Sequence, residues 1–105
     1  MKRAKVFVHK TAAGFLEEIS KGQSYRFYYL PSYQGPPVSL TMPVDKGEFN
    51  FDKFPAFFDG LLPEGIQLIG LLKQRKIDKD DYLQQLITVG ADLVGAVSVE
   101  AANDE

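Results

Sequence analysis

FFDGLLPEG, residues 57–65, is the point at which the sequence changes period. Before it, apolar residues tend to recur at every second position; after it they recur three and four apart. Alternation by two puts side chains on one face of a strand, whereas the longer spacing lines one side of a helix. Within the stretch, Phe57, Phe58, Leu61 and Leu62 predict a helical turn or two opening near Pro55. Pro63 cannot sit inside an established helix, where its missing N–H and its ring cost about 3 kcal/mol, but the first turn of a new helix tolerates it. PEGIQLIGLLKQRK (63–76) is therefore expected to be a second helix. Glu64 would lie in its first turn and Lys73, Arg75 and Lys76 in its last, each complementing the helix dipole. Leu62, Ile66 and Ile69 make one ridge, which Leu68, Leu71 and Leu72 broaden, so much of this helix is expected to be covered.

Upstream, AKVFVHK (4–10) reads as a strand, TAAG as a turn and FLEEIS (15–20) as a short return strand. YRFYYL (25–30) has the strongest strand pattern, with Tyr25, Phe27 and Tyr29 on one face and Arg26, Tyr28 and Leu30 on the other. Both faces are bulky, so one is expected against the core and the other against a helix or a partner. PSYQGPP (31–37) must be loop. VSLTMPV (38–44) returns to period two, Val38, Leu40 and Met42 sharing a face, with Pro43 marking an edge or an end. DKGEFNFDK (45–53) carries no regular pattern. Downstream, Asp78 is positioned to cap a third helical segment, with Tyr82, Leu83, Leu86, Ile87 and Val89 inward and Gln84, Gln85 and Thr88 toward water. Gly90 ends it, and GAVSVE (95–100) closes the domain as a strand.

The 105 residues suffice for one domain with its own core, spanning 1–100, followed by a polar tail, 101–105. No cysteine is present, which excludes disulfides, thiolate metal sites and cysteine nucleophiles. The basic start lacks the apolar run of a secretory signal, and no window is long and apolar enough to span a membrane, so a soluble, cytoplasmic protein is expected. Net charge is −2, yet residues 1–35 carry +4 and residues 36–105 carry −6. That polarity suits charge-steered contact with another protein better than nucleic-acid binding, which needs a concentrated basic stripe.

Little in the chain supports catalysis. His9 is the sole histidine and reads as a strand surface residue, and the serines sit in no nucleophile-elbow sequence. No phosphate loop, dinucleotide-binding pattern or calcium loop occurs, so no cofactor or metal is expected. Asp59 and Glu64 flank the proline joint. Local structure is the leading reading for them, partner contact the second, and general acid–base work a distant third. The rings of Tyr25, Phe27, Tyr28, Tyr29 and Tyr33 divide between core packing and an exposed protein-binding face.

FFDGLLPEG taken together with VGADLVGAVSV (89–99) resembles the N-terminal subdomain of HipA-type serine/threonine kinase toxins. The matching residues are Phe57, Phe58, Leu61, Leu62, Pro63 and Glu64, then Gly90, Asp92, Gly95 and Ala96; the likeness covers residues 4–100. It implies an α+β fold: a small antiparallel, partly barrel-like sheet with two main helices and a short helical turn. The chain lacks the kinase segments that follow this subdomain in the toxins. It therefore resembles the free-standing form found in three-component HipBST systems, the HipS-like antitoxins. The resemblance implies a non-enzymatic protein that binds a HipT-like serine/threonine kinase near its active cleft, in a complex with a HipB-like helix-turn-helix protein. Direct contact with nucleic acid is not expected outside such a complex. The alternative is a structural adaptor that completes the toxin fold or bridges it to the DNA-binding partner. The implied docking patch is Phe57, Phe58, Asp59, Leu61, Leu62, Pro63, Glu64 and Gln67, with Phe57, Phe58 or Tyr33 as the bulky residue offered to the cleft.

Overall fold

Period-two segments can satisfy their backbone groups only by pairing, and five do so here: β1 (Arg3–Val8), β2 (Thr11–Ser20), β3 (Ser24–Tyr29), β4 (Glu48–Phe51) and β5 (Val97–Ala102). The computed structural model describes residues 2–93 and 95–102, so the last three residues of the expected tail lie outside the described residues. All pairings are antiparallel, in the order β4-β3-β2-β1-β5. The sheet is open rather than partly barrel-like, with β4 and β5 as its two edges. Three helices follow β4: α1 (Ala56–Asp59), α2 (Gly65–Arg75) and α3 (Tyr82–Val89).

Several boundaries differ from the sequence reading. The first hairpin turns at His9 and Lys10, whose φ values of 49° and 67° suit a two-residue turn matched to strand twist, and TAAG continues as the start of β2. VSLTMPV forms no strand. The Met42 amide donates to the Ser39 carbonyl at 3.0 Å, closing a tight turn that buries Val38 and Met42 while Leu40 stands 95 % exposed at its tip. DKGEFNFDK holds a 3-10 turn (Val44–Lys46) and then β4, which pairs with β3 and buries Phe49. Asp81, not Asp78, caps α3, accepting from the Gln84 amide at 3.4 Å and pairing with Lys2 at 3.2 Å. Gln85, expected in water, is buried; its side-chain amide donates to the Asp78 and Lys79 carbonyls, which have no helical partners there. β5 runs to Ala102, past the expected domain end.

The core occupies one face of the sheet. Val6, Leu16, Tyr25, Phe27 and Val99 point into it and meet Phe58 from α1 and Leu83 and Leu86 from α3. Phe27 lies 5.9 Å from Phe58 and 4.9 Å from Tyr29, ring centre to ring centre, and Tyr25 packs edge-on to Phe54 at 5.2 Å. The Tyr29 hydroxyl donates to the Met42 carbonyl at 2.5 Å and accepts from the Val38 amide at 2.8 Å, which holds the proline-rich loop on the core.

No helix is needed on the opposite face. There the buried carboxylate of Glu17 accepts from Arg26 at 2.5 Å and from the Tyr28 hydroxyl at 3.1 Å, with Arg3 at 3.8 Å. The Arg3 guanidinium also lies 4.5 Å from the centre of the Phe15 ring. Cations and rings shield one another there, so this face meets water without a large bare apolar area.

At the end of α3 the backbone of Gly90 passes so close to β5 that a Cβ would collide with the Val99 carbonyl. Gly90→Ala is expected to cost about 1–3 kcal/mol by overpacking, read as a lowered urea midpoint with an unchanged slope. Tyr25 adds a pH dependence. Its hydroxyl is buried without a hydrogen bond of standard geometry, though Glu18 stands near it; burial first, then the charges of Glu18 and Asp81, push its pKa from 10.0 up to about 12. Between those values the unfolded chain releases the proton and the folded chain keeps it, so stability falls as pH rises, by roughly 2–3 kcal/mol in all. Urea titrations from pH 10 to pH 12 should show this slope in the wild type and a shallower one in Tyr25→Phe, the remainder coming from Tyr29 and Tyr33, whose pKa values burial also raises.

Candidate protein-docking site

The joint between α1 and α2 is built by backbone rules. The helical wind of α1 persists as turns, the Leu61 and Leu62 amides donating to Phe58 and Asp59 at 3.0 and 3.1 Å. Pro63 has no amide to continue the series. The chain extends through Glu64, at φ −129° and ψ 163°, and re-enters a helix at Gly65, whose φ of +58° favours a residue without a Cβ. Pro63 thus precedes α2 by two residues rather than occupying its first turn.

The consequence is that α2 leaves the core. None of its residues is buried: Ile66 is 88 % exposed, Ile69 54 %, and Leu68, Leu71 and Leu72 are half-buried. An apolar face of this kind on a helix normally has a partner. Beside it lies a groove of about 400 Å³, with Leu61, Leu62, Pro63, Val89 and Leu93 as apolar lining and Gln67 and Asp92 as polar lining.

The expected patch is only partly assembled at this surface. Asp59, Glu64 and Gln67 are exposed, and Phe57, Leu61, Leu62 and Pro63 are half-buried around the joint. Phe58 and Tyr33 are corrections. Phe58 is 0 % exposed because it is the side chain α1 contributes to the core. Tyr33, 7 % exposed, stacks on Tyr29 at 5.8 Å and donates to the Pro36 carbonyl. Neither can be offered outward without unpacking the chain. Ile66 and Ile69 were missed, since their spacing reads equally well as an inward ridge. Among the described residues no cluster of histidine, cysteine or carboxylate side chains could hold a metal ion, and no helix is long and apolar enough to cross a membrane.

The open sheet, the short α1 and the outward α2 can be set beside known proteins. The family model for the HipA N-terminal domain matches residues 4–100. The chain belongs to that family. A solved structure, the N-terminal domain of HipA toxin, superposes with a TM-score of 0.76 and 29 % identity, covering 100 % of this chain and 96 % of that one. An uncharacterized protein of Haemophilus influenzae (strain ATCC 51907 / DSM 11121 / KW20 / Rd) is 32 % identical over 100 residues, which is 95 % of this chain and 92 % of that protein. Gly90 has its physical explanation in the approach to Val99, and Phe58 in the packing against Phe27.

Burial separates the two roles within the patch. Phe58→Ala is expected to destabilise the chain by about 3–5 kcal/mol. Ile66→Asn should leave the thermal midpoint nearly unchanged, since an exposed side chain loses no packing; differential scanning calorimetry of the two variants reads the contrast.

Proposed function

We propose that this protein is a non-enzymatic antitoxin that binds a HipT-like serine/threonine kinase toxin and inhibits it by docking near the active cleft. Two supports converge: membership of the HipA N-terminal domain family across residues 4–100, and the bare apolar face of α2. The second carries the reading. Ile66, at 88 % exposed, is the most outward large side chain of the joint, and burying it against a partner is worth roughly 1.5–3 kcal/mol. Gly65 lifts the helix start away from the core and Pro63 stiffens the approach, so Ile66 is presented on a rigid support rather than on a loose loop. Asp59 and Glu64, exposed on either side of Pro63 in sequence, suit basic groups on the kinase, where paired charges set orientation and association rate. Phe58, Leu61 and Leu62 then act from beneath, holding the joint. A HipB-like helix-turn-helix protein completes the complex and makes the contact with DNA.

The test is a kinase assay. Purified HipT-like kinase is mixed with this protein alone, and autophosphorylation and substrate phosphorylation are followed. Inhibition is expected without the third component, and Ile66→Asp should raise the half-inhibitory concentration at least tenfold while circular dichroism stays unchanged. If the wild-type protein binds but leaves kinase activity intact, the adaptor role replaces the inhibitor role. If it does not bind at micromolar concentration, both fall.

A further inference from the structure

The segment VGADLVGA holds a residue that the fold does not use. Gly90 is required by the approach to Val99, and Gly95, at φ +104°, by its backbone. Asp92 has no such reason. It is exposed, makes no hydrogen bond or ion pair to any described residue, and ends the 3-10 turn (Gly90–Asp92) that continues α3. A helix C-terminus is the negative end of the dipole, where a carboxylate is unfavourable, and the last turn of α3 carries no basic residue to offset it. Asp92 also lines the groove beside α2, among Leu61, Leu62, Pro63, Val89 and Leu93, with Asp59 and Glu64 flanking the joint in sequence. Among the described residues, Gln67 is the only other polar side chain lining the groove, and no cation does so.

We propose that this groove is a receiving pocket: it takes one large apolar side chain of the kinase, and a neighbouring lysine or arginine of the same kinase segment pairs with Asp92. This inference rests on the antitoxin reading and adds to it, since Ile66 reaches out while the groove accepts. The groove, at about 400 Å³, has room for such a side chain, and its anionic rim selects the charge beside it. Contact with the cation relieves the repulsion between Asp92 and the end of α3, so the pairing is favoured from both sides.

Three variants test it in the full-length protein: Asp92→Asn, Asp92→Lys, and Gln67→Trp, which fills the groove from its exposed rim. Binding to the kinase is measured by calorimetry at low and high salt. Asp92→Asn should weaken binding about fivefold and flatten its salt dependence, and Asp92→Lys should weaken it more than tenfold. Both should melt at or above the wild-type temperature, because the substitution relieves the dipole. Gln67→Trp should weaken binding comparably, with little change in salt dependence. Binding within twofold of wild type in all three variants overturns the proposal while leaving the antitoxin reading intact. Weakened binding with a lowered melting temperature marks Asp92 as structural and overturns it too. A concentration-dependent dimer that Asp92→Lys dissolves assigns the groove to a second copy and also rejects it. No binding by the wild type removes the antitoxin reading, and this proposal with it.

Discussion

Pro63 has no amide hydrogen to donate, and the shape of this protein's surface follows from that vacancy in the hydrogen-bond series. The turns after α1 cannot run on into α2, so the chain extends for two residues and begins again at Gly65 with a positive φ. That change of direction carries α2 away from the sheet. α1 and α3 cover the inner face with Phe58, Leu83 and Leu86, and α2 is left holding leucines and isoleucines that the domain does not need for its own core. A helix this apolar and this uncovered is tolerable in a monomer only if water contact is brief or a partner takes its place.

The two faces of the sheet solve different problems. The inner face excludes water with interlocking rings, Phe27 between Tyr29 and Phe58. The outer face is made of residues just as large, yet it is finished by its own charges: Glu17 gathers Arg26, Tyr28 and Arg3, and the guanidinium of Arg3 covers Phe15. The contrast with α2 is informative. On the outer face, Phe7, Phe15 and Tyr28 each have a cation over the ring. Ile66 has no such cover: it is 88 % exposed, with no cation over it among the described residues.

The uneven charge along the chain takes on a spatial meaning in this fold. Arg3, Lys5 and Arg26 lie on the strands, while Asp59, Glu64 and Asp92 gather around the joint and the end of α3. Buried and exposed positions lie close together in sequence here: Phe58 and Gly90 pack inside, while Asp59 and Asp92 are exposed.

The sequence alone was enough to establish three things: that the first strands precede the helices, that Tyr25, Phe27 and Tyr29 share one face, and that Pro63 breaks a helical run. These are consequences of covalent geometry and of a two- or four-residue repeat, which no distant contact alters. Gly90 was expected to stop α3, but it keeps helical angles, φ −58° and ψ −30°, and leads into a 3-10 turn; what requires a glycine there is the approach to Val99. Three matters waited for the tertiary structure. The turn at Leu40 has the same alternation as a strand, and only the absence of a neighbouring strand to pair with decides between them. The sequence put Asp78 at the cap of α3, whereas the Gln84 amide and Lys2 both meet Asp81. The ridge of α2 and the inner side of α3 are equivalent as sequence. Which of them is buried depends on how much of the sheet's inner face remains once the first has docked, and that is a property of area and direction in space, not of spacing along the chain.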